Sequence, residues 1–240
     1  MAGKFIKGAL VSFMPTFIGA LPNVVVFQFN PETITHAWTA AAPPDSNPGK
    51  DPLAAKGVPG ESFSFSLAID ANDMIADGDA NPVAAELAKI SGVYTRLAAL
   101  EMLQYPSGAF DGGLLGQVSS AISSAASSLT GSASAASQAV PQSDVPTVIF
   151  VWGPQRILPV RVTALSISEK LYDALLNPTH ADVTITLRVL TPEELTFVQG
   201  PLKTVASIAY TYSQGLRQVQ ALANLGDAAA SIIGMLPNPF

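Results

Sequence analysis

Val148-Ile-Phe-Val-Trp-Gly-Pro-Gln-Arg-Ile-Leu-Pro-Val-Arg-Val-Thr-Ala-Leu-Ser-Ile-Ser-Glu169, continued beyond Lys170 by Leu171-Tyr-Asp-Ala-Leu-Leu-Asn-Pro-Thr-His-Ala-Asp-Val-Thr-Ile-Thr-Leu-Arg-Val-Leu190, carries the strand pattern of this chain. Its first five residues, Val148 to Trp152, are an unbroken apolar run of strand length. From Ile157 to Ser168 the apolar residues alternate, with Leu158, Val160 and Val162 on one face and Leu165 and Ile167 on the other. A side-chain period of two does not change face unless a residue is added, so a bulge or bend is predicted near Thr163 and Ala164. An Asn177-Pro178 turn follows. Val183, Ile185, Leu187 and Val189 then alternate with Thr184, Thr186 and Arg188, the pattern of a half-buried strand.

The same alternation recurs upstream. Phe63, Phe65, Leu67 and Ile69 alternate with Ser64, Ser66, Ala68 and Asp70, and Ile34, His36 and Trp38 share one side of a shorter strand. Val24 to Phe29 is a compact apolar run and reads as a strand buried on both faces. Ala42 to Gly60, rich in Pro and Gly, is a loop. After a polar stretch from Asp70 to Asn81, Asp79 or Asn81 can cap a helix over 82–104. Pro82 stands in its first turn, and Val83, Leu87, Ile90, Tyr94, Leu97 and Leu100 recur at helical spacing. Gly92 weakens its middle by about 1 kcal/mol relative to Ala, and Tyr105-Pro106 ends it. Ser107 to Ser143 stands apart, because Ser119 to Ser137 is almost entirely Ser and Ala. It reads either as a flexible low-complexity insertion or as a weak amphipathic helix on Leu115, Val118, Ile122, Ala126 and Leu129. Past Leu190, Pro192 opens a helical region with Leu202, Val205, Ala209, Leu216 and Val219 on one stripe, broken by Gly215 and Gly226. The chain divides into 1–106, an insertion over 107–144, a resumed domain over 145–191 and a helical extension over 192–240. The class is α+β with mainly antiparallel pairing.

Composition narrows the function. The 240 residues are 48% hydrophobic and only 12% charged, about half the usual charged share of roughly 25%, which predicts a surface largely covered by other subunits. A net charge of −6 opposes a basic nucleic-acid footprint, and Arg156, Arg161, Lys170 and Arg188 are scattered among strands without interleaved aromatics. There is no cysteine, so disulfides, thiolate nucleophiles and cysteine metal sites are excluded. No nucleophile elbow, phosphate loop, dinucleotide turn or zinc-protease helix motif occurs. His36 reads as a packed or interface residue and His180 as a solvated turn residue. Asp77, Asp79 and Asn81 begin like a calcium loop, but Pro82 stands where glycine is needed and Ala88 where the last glutamate is needed. Lys4 and Lys7 before the apolar Ala9 to Leu21 imitate a secretory signal, yet Pro15 and Gly19 interrupt it. Val219 to Leu236, the best candidate span, carries Gln220, Asn224 and Asp227. The expectation is a soluble, unsecreted, non-enzymatic chain with no catalytic residue, cofactor or metal, no nucleic-acid partner and no integral membrane segment.

Three further motifs accompany the quoted stretch: Phe27-Gln-Phe-Asn-Pro-Glu-Thr-Ile34, Ser64-Phe-Ser-Leu-Ala-Ile-Asp70 and Leu97-Ala-Ala-Leu-Glu101. Together they resemble the tube-type baseplate proteins of contractile injection systems, the phage-tail-like particles that include antifeeding prophage and Photorhabdus virulence cassette machines. The resemblance covers roughly residues 24–105 and 145–191. It implies a two-sheet split β-barrel of the phage tail-tube type with a flanking helix. It also implies a homo-hexameric ring between the spike or hub and the inner tube, which initiates tube assembly. The implied partners are the chain itself, the inner tube protein, the spike or hub protein and other baseplate subunits. Assembly would take place in the bacterial cytoplasm, within a particle that can later be released. Phe29, Asn30, Pro31, Glu32, Trp152, Gly153, Arg161, Glu169, Asn177, Pro178 and Arg188 match as structural or interface positions, and Arg161 and Glu169 are candidates to pair within or between subunits. Some relatives carry a C-terminal LysM module, and none follows Leu190 here. An envelope- or peptidoglycan-contacting module of the same particle, or an inner-tube subunit proper, is the alternative.

Overall fold

A computed structural model describes residues 6–16, 19–41, 53–76, 82–105, 146–198 and 202–235. Both readings of the Ser/Ala insertion, and the Asp79 or Asn81 cap, lie outside these residues. The described elements are strands β1 (Ala9–Thr16), β2 (Gly19–Val26), β3 (Ile34–Thr39), β4 (Gly60–Asp70), β5 (Val148–Val151), β6 (Ile157–Tyr172) and β7 (Pro178–Val189). The helices are α1 (Ala71–Ala76), α2 (Pro82–Ser91), α3 (Tyr94–Glu101), α4 (Pro192–Leu195) and α5 (Leu202–Met235). The strands form one sheet in the order β2-β1-β5-β6-β7-β4-β3, and every neighbouring pair is antiparallel. The class is therefore α+β. β5 pairs with β1 and β7 with β4, so the segments before and after the insertion interleave in one sheet.

The predicted bulge is present, as a register shift between Val162 and Ala164 against β7. Its effect differs from the expected change of face. The added residue lets Leu165 and Ile167 pack against the same core that takes Leu158, Val160 and Val162. β5 is covered on both faces, as a continuous apolar run requires. Val148 and Phe150 enter the main core with Phe63, Phe65, Leu97, Leu100 and Ile185, while Ile149 enters a second cluster with Leu190, Leu195, Val198 and Ala206.

The sheet curls without closing. Phe27, just beyond β2, lies 5.5 Å from Phe65 of β4, ring centre to ring centre, although β2 and β4 are five places apart in the strand order. The Gln28 side chain donates to the Asp70 carbonyl and accepts from the Asp70 N–H, at 2.9 and 3.0 Å, tying these two parts of the sheet.

Five expectations change. The signal-like N-terminal stretch contains β1, which pairs with β2 from Ala9 opposite Val26 to Thr16 opposite Gly19. The run Val24 to Phe29 is not buried on both faces: Val25 and Phe27 are buried, while Val24, Val26 and Phe29 are exposed, because β2 is an edge strand with one face toward the core. The acidic stretch holds the short helix α1, of which Ala71 and Met74 are buried. The helix expected over 82–104 splits at Gly92 (φ +57°), so Val83, Leu87, Ile90 and Tyr94 stay exposed while Ala85, Ala88, Leu97 and Leu100 are buried. Finally, Gly215 and Gly226 do not break α5, a continuous helix of 34 residues, about 51 Å at 1.5 Å per residue. It buries Ala206, Ala209 and Ser213 and leaves Val205 and Val219 exposed. Small residues bring its backbone close to the sheet, which a stripe of larger side chains would prevent.

Candidate functional site

The residues singled out from the motifs fall into three places. Phe29, Asn30, Pro31 and Glu32 form the connection from β2 to β3. Asn30 accepts from the Gly8 N–H and donates to the Ile6 carbonyl, both at 2.9 Å, which fastens the entry to β1 against this loop. The four residues border an open depression of about 1020 Å³ over Ser64, Ser66 and Thr184. Phe29 projects there, 45% exposed.

Asn177 and Pro178 form the second place, at the β6–β7 turn. The Asn177 side chain donates to Asp173 Oδ2 at 2.9 Å and to the Ile90 carbonyl at 3.2 Å. The Pro178 carbonyl accepts from the Val93 N–H at 2.9 Å. Gly92 permits this docking: a Cβ there would stand 2.2 Å from the Pro178 oxygen. The Asn177 side-chain bond, its backbone N–H and that of Leu175 hold the Asp173 carboxyl below the usual range against opposing desolvation. On β7, His180 stands 3.6 Å from Asp70 and 3.5 Å from Asp182, with its side chain 26% exposed, so it is a strand residue between carboxylates and not a solvated turn residue.

Arg188 anchors the third place. Its guanidinium donates to both Glu194 oxygens, at 3.1 and 2.7 Å. Glu194 also closes a capping box with Thr191 at the start of α4. Although desolvation opposes it, these partners hold the Glu194 carboxyl below its ordinary value. Arg161 and Glu169 do not pair within the chain. Both lie on β6, eight residues and about 26 Å apart, and Arg161 has no carboxylate within ion-pair distance among the described residues. Trp152 stacks on Phe150 at 6.4 Å and leans on Phe27 at 6.3 Å. Gly153, with φ +68°, makes the turn after it.

Sequence reasoning did not find the most concentrated polar cluster. Glu61 on β4 is only 4% exposed. It accepts from Arg217 of α5 through both oxygens, with Nη1 to Oε2 at 2.9 Å, and bonds His36 Nε2 at 2.8 Å. His36 stacks on Phe63 with ring centres 4.3 Å apart, and Arg217 lies over Trp38. Glu61 and Arg217 are 156 positions apart, and the only early signal was a charged residue at a core-facing position of a clear strand. Arg156, one of the cations scattered among the strands in sequence, lies 5.0 Å over the Phe63 ring beside this cluster.

The remaining feature is an unpaired edge. β6 pairs with β5 only through Ile157–Val160. From Arg161 to Tyr172 its other edge has no strand against it among the described residues, a length of about 40 Å. Among the described residues β2 and β3 are the two end strands of the sheet. Apolar side chains crowd the far end of β6: Leu171, Tyr172, Leu175 and Leu176 are exposed, as are Ile90 and Tyr94. Tyr94 lies near enough to Glu169 and Tyr172 that desolvation and their charges raise its phenol. Chemically, this arrangement offers main-chain hydrogen bonds and apolar contact to another polypeptide.

No protein-family model matches the chain, and no curated protein matches its sequence. Among the described residues no three His, Asp or Glu side chains gather as metal ligands. No described helix is long and apolar enough to cross a membrane.

Proposed function

We propose that the chain is a non-enzymatic structural subunit of a contractile injection system. It forms a ring at the baseplate that joins the spike or hub to the inner tube and initiates tube assembly. The motif resemblance suggests the reading, and the edge of β6 from Arg161 to Tyr172, against which no strand pairs among the described residues, is the observation that carries it. An edge of this length beside exposed Leu and Tyr side chains is an aggregation hazard unless a partner occupies it. A head-to-tail contact between copies occupies it without leaving a free end, provided the rotation closes. In this reading the curled sheet is the split-barrel unit of the tail-tube type, and a neighbouring subunit supplies the strand pairing that β6 lacks. The ring is a hexamer, its two faces meet the tube and the spike, and its work is geometric.

Co-expression with tube and spike proteins, followed by negative-stain imaging and mass photometry, tests the proposal. Rings of uniform diameter are expected. Monomers alone, with both partners present, overturn it.

A further inference from the structure

A cleft of about 460 Å³ lies between α5 and the β5–β6 turn, lined by His36, Trp152, Gln155, Arg156, Arg217 and Gln220 among others. Its charges do not cancel. Glu61, the one carboxylate of the cluster, is engaged by Arg217 and His36. Arg156 adds a second guanidinium that has no carboxylate within ion-pair distance among the described residues, only the face of Phe63. Desolvation works against its charge, Glu61 favours it, and the nearby Arg217 opposes it again. Guanidinium does not shed its proton at accessible pH, so the imbalance calls for an anion and not for neutralisation. The Gln220 amide donates to the Gln155 side-chain oxygen at 3.3 Å, which leaves the Gln155 amide N–H groups as further donors at the rim.

We propose that this cleft is a carboxylate-binding site in which the Arg156 fork takes both oxygens of the ligand. Two features favour a carboxylate over a phosphate. The site has one uncompensated positive charge, which matches a monoanion, and the planar fork is complementary to a planar two-oxygen acceptor. The aromatic wall that Trp152 gives the cleft suits the apolar stem of such a ligand. An acidic side chain on a polypeptide and a free carboxylic acid share this chemistry.

The chain has two tryptophans, Trp38 and Trp152, and both stand at the cluster, so intrinsic fluorescence reads occupancy. The full chain is titrated at constant ionic strength with N-acetylglutamate amide, acetate, N-acetylglutamine amide, phosphate and chloride. Saturable changes with the two carboxylates and none with the neutral amide are expected. Tighter binding of N-acetylglutamate amide than of acetate assigns the site to a peptide side chain, and equal binding assigns it to free acids. Arg156→Gln should weaken binding at least about tenfold, and Arg156→Lys, which keeps the charge and loses the fork, by a smaller factor. Circular dichroism checks both folds. No response to carboxylates, phosphate or chloride binding as tightly, or wild-type affinity in the two Arg156 variants overturns the proposal. Because the measurement reads binding to the chain itself, it stands or falls independently of ring formation.

Discussion

Gly92 shows how one backbone angle rearranges a neighbourhood. In a helical frame it is only a weak residue. With φ +57° it ends α2, and its missing side chain lets the Pro178 carbonyl approach. Gly92→Ala brings both left-handed strain, about 1–2 kcal/mol, and a backbone clash. It should lower the unfolding free energy by about 2–3 kcal/mol in urea titration. Leu176 is the opposite case. It holds φ +63° without being glycine, at the apolar tip of the β6–β7 turn. Leu176→Gly removes the strain, while the greater freedom of glycine in the unfolded chain offsets part of it, so a net gain of about 0.5–1 kcal/mol is expected in the same assay. A strained, exposed leucine that stability alone would remove fits a residue kept for contact with a partner.

At the scale of elements, α5 and the β6–β7 hairpin are fastened by different means. α5 is held by small buried residues, by Ser213 bonds to the Ile157 backbone and by the Arg217–Glu61 pair. Arg217→Ala leaves the Glu61 charge buried without its guanidinium partner and should cost about 3 kcal/mol. Adding Glu61→Gln should recover much of that loss, a non-additivity that a double-mutant cycle measures. The hairpin turn depends on carboxylates. Asp173 is lowered by bonds from the Asn177 side chain and backbone, and Asp182 first by its bond from Lys170. Groups whose pKa falls on folding contribute stability above the unfolded-state value, and lose it as pH drops through the folded-state value. The unfolding free energy should therefore decline on acidification below the usual carboxylate range. Asp173→Asn should make that decline shallower, as pH-dependent denaturation curves will show.

For the whole molecule, the question is what occupies its edges. β6 is long because β7 supports it along its length, yet β5 covers only its first turn of pairing. Ala164 and Ser168 are exposed on this strand. Lysine at both positions guards the edge with charge and removes no core contact. The Ala164→Lys/Ser168→Lys chain should keep its circular dichroism and unfolding midpoint but fail to form rings in mass photometry. Unchanged rings would detach assembly from this edge. The low charged fraction fits the proposed subunit, because in a ring the surface that would otherwise need charge would meet another chain.

Six of the seven strands were readable at least in part from residue order alone, because a half-buried strand writes its two faces as alternation and a covered one as a short apolar run. That holds for Phe63 to Ile69 and for Val183 to Val189, and the bulge near Thr163 was visible as a break in the same period. β1 was not readable, since its apolar residues follow two lysines and include Pro15, a pattern shared with leader segments. Continuity of α5 through Gly215 was equally hidden, because packing against the sheet outweighs the roughly 1 kcal/mol that each glycine withholds. Asn30, Pro178 and Arg188 were marked by motif, but their partners, Gly8, Val93 and Glu194, were not. The Glu61 cluster lay out of reach, as its members come from β3, β4, the β5–β6 turn and α5. Periodicity reports which way a side chain faces within its own element; only the sheet order brings residues 156 positions apart into contact, and long-range electrostatics exist only after that.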